Sequence, residues 1–139
     1  MTPFPSPQAG RLLAFGEIMW RLSPPNRELL LQSNRLDTWL AGAEANVVIA
    51  LATLGHDVGL ATLLPDSDLG RAAARELRGA GVAMDAVAFG GDRIGLYFVT
   101  PGAGLRPTEV IYDRAYSAFA EAPADSWDWD TLLDRKSVV

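Results

Sequence analysis

Between Glu44 and Phe89 the chain alternates helical and extended patterns, and that alternation constrains its fold more than any other feature. From Glu44 to Leu54 the apolar residues Val47, Val48, Ile49, Leu51 and Leu54 surround the cylinder of a helix, with Ala45, Ala50 and Ala52 allowing close packing, so the spacing predicts a helix covered on most sides. Gly55 follows as its C-cap. The apolar run DVGLATLL then reads as a strand, and DSDLGRAAARELRGAG as an amphipathic helix that starts with Asp and closes at Arg78-Gly79. A further strand, VAMDAVAF, completes a pattern of βαβ units, which implies a mainly parallel sheet.

Upstream, residues 1–10 carry three Pro and read as a flexible lead-in. RLLAFGEIMWRL is rich in large apolar residues and is closed by Ser23-Pro24-Pro25, which suggests one mostly buried strand with Glu17 as an acid inside it. ELLLQS and LDTWLAG look like two short strands of a small antiparallel piece. Downstream, RIGLYFVT and TEVIYDRAY flank the turn-rich PGAGLRP and predict a hairpin, and DSWDWDTLLDRKSVV begins a helix with Asp and Trp near its start.

The bulk numbers narrow the chemistry. With 139 residues the chain has one domain's worth of core, short of the two-lobed size common among metabolic enzymes. Twelve Lys and Arg against 17 Asp and Glu give a net charge of −5, a poor field for nucleic acid. The longest apolar stretch, Val47 to Leu54, is far below the ~20 residues of a membrane span, and MTPFPSPQAG has no secretory pattern, so we expect a cytoplasmic protein with no membrane partner. There is no Cys, and the single His56 cannot by itself build a zinc site, so neither thiolate chemistry nor a metal site is expected.

Two groups of residues could carry function. Gly42 and Ala43 open the backbone N–H groups of the following helix to an oxygen-rich ligand, and Asn46 in its first turn can both donate and accept. On pattern alone, Glu44 and Asn46 serve equally well as helix caps. Tyr97, Tyr112, Asp113 and Arg114 cluster in the arms of the hairpin, and Tyr112 and Arg114, two apart, share one strand face. An Arg fork beside a phenol suits a carboxylate or a polyol, but an exposed Arg paired with an acid fits the same pattern. GAGLRP joins strand to strand without a following Gly-Lys-Ser/Thr, so it is neither a phosphate loop nor a dinucleotide fingerprint. Trp20, Trp39, Trp127 and Trp129 stand in no basic context and read as packing residues.

FGEIMWRLSP, AGAEANVVIALATLGHDVGLATLLPDSDLGRAAARELRGAGV and GLYFVTPGAGLRPTEVIYDRAYSAFA together resemble the ribokinase-like sugar kinases, or phosphofructokinase-B family, and within it the 2-keto-3-deoxygluconate kinases. The resemblance runs from about Arg11 to Leu133. It implies a three-layer α/β/α fold, mainly parallel, with a small antiparallel lid built from about 28–41 and 94–113 that covers the sugar and mediates homodimer contacts. It also implies substrate-binding roles for Gly42, Ala43, Glu44, Ala45, Asn46, Tyr97, Tyr112, Asp113 and Arg114. The complete enzyme would use ATP and Mg²⁺ to phosphorylate the terminal hydroxyl of a small sugar acid.

Family members run to about twice this length, and their Gly-Ala-Gly-Asp motif, which holds the general base and the anion hole, belongs to a second half without a counterpart here. We therefore expect residues 11–139 to be the N-terminal portion of a kinase domain, with no catalytic, cofactor-binding or metal residue of its own and no activity alone. The family strand after DTLLD is replaced by RKSVV, which reads as a truncated or frameshifted end. The alternatives are a fructokinase- or ribokinase-type enzyme, which has no carboxylate to bind, and a non-catalytic sugar-binding or dimerising module.

Overall fold

A computed structural model describes residues 10–134 and the backbone of 136–138; the expected lead-in falls largely on residues 1–9, outside the described residues. The expected first strand divides in two. β1 (Arg11–Phe15) and β2 (Met19–Ser23) belong to different sheets, separated by Gly16, Glu17 and Ile18. Every residue of this break is buried, so the apolar run continues across it although its hydrogen bonding does not. Glu17 accordingly lies in the break and not inside a strand.

From β2 the chain passes through a 3₁₀ turn at Leu30–Gln32, where ELLLQS was expected to be extended, and enters β3 (Asp37–Ala41). Leu31 is almost fully exposed, and the segment joins neither sheet. Next come α1 (Ala43–Thr53), β4 (Val58–Leu64), α2 (Asp68–Gly79) and β5 (Val87–Phe89). The C-cap of α1 is Leu54, and Gly55, expected in that place, follows it at φ +87° as the left-handed residue that ends the helix. Ser67, not the preceding Asp66, caps α2 by accepting from the Gly70 N–H. The expected strand over VAMDAVAF is reduced to three residues, with an isolated bridge from Ala83 to Gly59. The hairpin forms as β6 (Leu96–Thr100) and β7 (Glu109–Asp113), and α3 (Trp129–Leu133), capped by Asp128, precedes β8 (Lys136–Val138).

The strands build two sheets. One runs β5-β4-β1-β8 with all pairings parallel, so Lys136–Val138, where a departure from the family strand was expected, lie alongside β1. Side chains alternate across this sheet. Ala14, Val58, Leu60 and Leu64 face α1 and α2, whereas Leu13, Ala61 and Leu63 face α3 and Trp127. The result is the three-layer α/β/α arrangement. α1 itself is less covered than its composition suggested: Ala45 and Val48 are buried, but Val47 and Leu54 face out. Alanine at 50 and 52 and a nearly uniform apolar circumference give the helix no single preferred face.

The second sheet, hereafter the lid, runs β3-β2-β6-β7 and takes in the segments expected to form one. It is mixed, because β2 and β6 pair in parallel, and it contains β2, which was expected in the main sheet. Its inner end is anchored in the core by Trp20, Leu40 and Leu96. No helix among the described residues is long and apolar enough to cross a membrane.

Candidate functional site

Around β1 the chain winds in opposite senses: through α1 to β4 on one side, and through α3 to β8 on the other. The carboxyl end of a strand at such a reversal leaves a crevice between diverging connections, the usual ligand position in open α/β sheets. Here a cavity of about 310 Å³ opens at that place. Phe15, Gly16 and Glu17 form its floor, and Ala43 and Glu44 at the start of α1 form one wall. Tyr112 and Arg114 from the lid close the opposite side.

The α1 wall depends on a close approach. Gly42 stands so near the backbone of Glu17 that a Cβ there would collide with the Glu17 carbonyl oxygen. Gly42 is also the N-cap of α1, and no side chain caps the helix. Neither Glu44 nor Asn46 therefore performs the capping role that their pattern allowed. The Glu44 carboxylate lies over Gly16, in the space that a side chain there would occupy. Asn46 is exposed on the first turn, its N–H donating to the Gly42 carbonyl at 2.8 Å, and Ala45 points into the core.

On the lid, four residues stand in register across four strands. Trp39 pairs with Arg21, Arg21 with Tyr97 and Tyr97 with Tyr112, so their side chains share one face. The Arg21 guanidinium lies 5.4 Å from the Trp39 ring, and Tyr97 and Tyr112 stack with centroids 5.8 Å apart. Burial raises the pKa of the Tyr97 phenol, with the positive charge of Arg21 opposing the shift and Tyr112 adding to it. Tyr97 thus supports Tyr112, which reaches the cavity, without lining the cavity itself.

Asp113 points elsewhere. Its side chain pairs with Arg93 at 3.1 Å and borders a separate depression on the other side of the lid, beside the start of α2. The structure therefore brings Ala43, Glu44, Tyr112 and Arg114 to one cavity, with Gly42 and Tyr97 behind them, and leaves Ala45, Asn46 and Asp113 outside its lining.

Sequence reasoning gave no role to Glu17, Ser117 or the aromatic floor of Phe15 and Phe119. Glu17 is 5% exposed. It accepts a hydrogen bond from Ser117 Oγ at 2.6 Å, and Arg114 Nη2 lies 2.8 Å from its Oε2 as an ion pair without hydrogen-bond alignment. The available signal was a lone acid in a long apolar run, since a buried carboxylate requires a partner.

A 2-dehydro-3-deoxygalactonokinase of Haloferax volcanii is 42% identical over 123 residues, covering 88% of this chain and 39% of that protein. The crystal structure of a 2-dehydro-3-deoxygluconokinase from Thermotoga maritima superposes with a TM-score of 0.88 at 47% identity, covering 91% of this chain and 39% of that one. A pfkB family carbohydrate kinase from Listeria grayi superposes at 0.84 with 36% identity, covering 88% and 38%. The chain thus spans about two fifths of the length of the relatives it matches. The description "pfkB family carbohydrate kinase" matches residues 9–139, which include both sheets and the whole cavity, and the chain belongs to that family.

Proposed function

We propose that this chain supplies the acceptor-binding half of an ATP-dependent sugar kinase that phosphorylates the terminal hydroxyl of 2-keto-3-deoxygluconate. The observation that carries the reading is that Arg114 and Tyr112 line the same cavity as the start of α1, which no side chain caps. A guanidinium recognises a carboxylate through paired N–H donors, and the helix N–H groups and the Tyr112 hydroxyl suit the carbonyl and hydroxyls of the same small molecule. The relatives from Thermotoga and Haloferax act, by their names, on 2-dehydro-3-deoxy sugar acids.

The phosphoryl donor proposed for the complete enzyme is ATP with Mg²⁺, and no site for it is assigned among the described residues. No group of three His, Cys, Asp or Glu side chains there could hold a metal ion. In the loop between β6 and β7 the Gly102 N–H is occupied by Thr108 Oγ1 at 3.0 Å. In this reading recognition of the acceptor is this chain's share of the reaction, and we expect no ATP turnover from the purified chain; measured turnover would overturn that expectation.

The same reading includes a homodimer through the lid. β7 is exposed at all five positions, among them the apolar Val110 and Ile111, and its outer edge is unpaired in the sheet. Sedimentation of the wild type against an Ile111→Lys variant tests it; equal masses would count against the dimer.

The acceptor is tested by calorimetric titration with 2-keto-3-deoxygluconate and with 3-deoxyfructose, which has a hydroxymethyl group in place of the carboxylate. We expect Arg114→Ala to weaken the acid at least tenfold, the scale of losing one charge-assisted contact. Equal affinity of the wild type for the two sugars would defeat the assignment.

A further inference from the structure

Glu17 is the most deeply buried carboxylate around the cavity, and nothing in the recognition scheme above uses it. Its surroundings are built for it. A Cβ at position 95 would stand 2.5 Å from Glu17 Oε1 and 3.3 Å from Arg114 Cβ, so Gly95 leaves room for both side chains. Arg114 and Ser117 are the ends of one turn, closed by the Ser117 N–H donating to the Arg114 carbonyl at 3.2 Å. Tyr116 within that turn has φ +58°, a left-handed conformation that an L residue adopts only at a cost. The turn brings two partners to one carboxylate: the Ser117 hydroxyl donates to Oε1, and the Arg114 guanidinium forms an ion pair with Oε2.

The two partners differ in exposure. The Ser117 side chain is fully buried, whereas that of Arg114 is 47% exposed. Glu17 thus pairs with one nitrogen of the guanidinium, while the half-exposed Arg114 lines the cavity. A long Arg side chain free in solvent samples many rotamers, and ordering it on binding opposes association.

We propose that Glu17 is a positioning residue that pre-orders Arg114 to receive an acidic ligand, with Ser117 holding Glu17 in turn. The identity of the ligand rests on the sugar-acid reading above, whereas the ordering of Arg114 does not. A role confined to stability would weaken every ligand alike. A carboxylate that merely competed for Arg114 would weaken acids, so its removal would strengthen them. Pre-ordering predicts the third pattern: loss confined to the acid.

The test uses the 139-residue chain, Glu17→Gln and Ser117→Ala. Nuclear magnetic resonance reads the order and solvent exchange of the Arg114 guanidinium without ligand, and calorimetry reads binding of 2-keto-3-deoxygluconate and 3-deoxyfructose. In Glu17→Gln we expect faster guanidinium exchange and about five- to tenfold weaker binding of the acid, the effect of ordering one long side chain, with the neutral sugar unchanged within about twofold. Ser117→Ala, which keeps the charge, moves both readouts in the same direction by less and carries the test if Glu17→Gln fails to fold. Unchanged guanidinium exchange, equal weakening of the two sugars, or tighter binding of the acid would each overturn the proposal. Should the wild type bind neither sugar, the acceptor assignment fails, and the guanidinium exchange still decides whether Glu17 orders Arg114.

Discussion

Tyr97 and Tyr112 are directly opposite one another on β6 and β7, and their rings stack at 30° with centroids 5.8 Å apart. The inner ring is partly covered and the outer one exposed, so Tyr97 fixes the orientation in which Tyr112 meets the cavity. Burial raises the Tyr97 pKa, which keeps the phenol neutral in the folded protein to higher pH than in the unfolded chain. The associated stability is fully present below the ordinary Tyr value of about 10 and is lost as pH rises through the raised one. Ultraviolet titration is expected to show one late-ionising phenol that disappears in Tyr97→Phe. A profile unchanged by that substitution would contradict the assignment.

Gly42→Ala is expected to damage stability and binding together. The added methyl has no flexible neighbour to displace, because it meets the Glu17 carbonyl. Relief requires α1 to move away from the end of β1, with a cost of about 2 kcal/mol by analogy with overpacked cores. Urea denaturation checks the first effect and titration with the sugar acid the second. A variant of wild-type stability would show that α1 is free to shift.

Tyr116→Gly is expected to leave the protein slightly more stable. The ring is 77% exposed, so little packing is lost, while the left-handed backbone ceases to be strained. Strain of about 1–2 kcal/mol is relieved against roughly 0.5–1 kcal/mol of added unfolded-chain entropy. Thermal unfolding measures the balance, and a clear loss of stability would mean that the ring makes a contact in solution.

Acid is expected to loosen α3 at its start. Hydrogen bonds from the Thr131 hydroxyl and then the Thr131 N–H hold the Asp128 carboxyl below its ordinary pKa. A depressed carboxyl stabilises the fold above its unfolded value, about 3.9, and that contribution is lost as pH falls through the lower folded value. Amide exchange at Thr131 should accelerate over that window in the wild type and already be fast at neutral pH in Asp128→Ala. Protection that persists in Asp128→Ala would refute the cap.

The layered part of the fold was legible because its signals are local. Gly55 and the capped ends of the helical patterns delimit α1 and α2, and the unbroken apolar run of β4 needs cover on both faces. The division at Gly16–Ile18 was hidden because burial continues through it while the partner strand changes, and hydropathy reports only burial. Leu29, Leu30 and Leu31 misled for the opposite reason: their apolar character implied a strand, but no neighbouring chain offers them a ladder. In the site, Tyr112 and Arg114 could be read from strand alternation, which also places Asp113 on the other face. Ser117 lies 100 residues from Glu17, a separation across which spacing carries no information.

Four passages of the chain between the two sheets converge on Glu17. Residues 16–18 lead out of β1, Gly42 returns from β3, Gly95 leads into β6, and Arg114–Ser117 return from β7. The lid is therefore two excursions, 18–41 and 96–113, each departing from and arriving at nearly the same point. Lengthening an excursion whose ends already meet adds little closure entropy, growing only with the logarithm of its length. The outer surface of the lid is thus open to insertion and exchange, whereas the handful of residues where its threads are gathered has no such freedom.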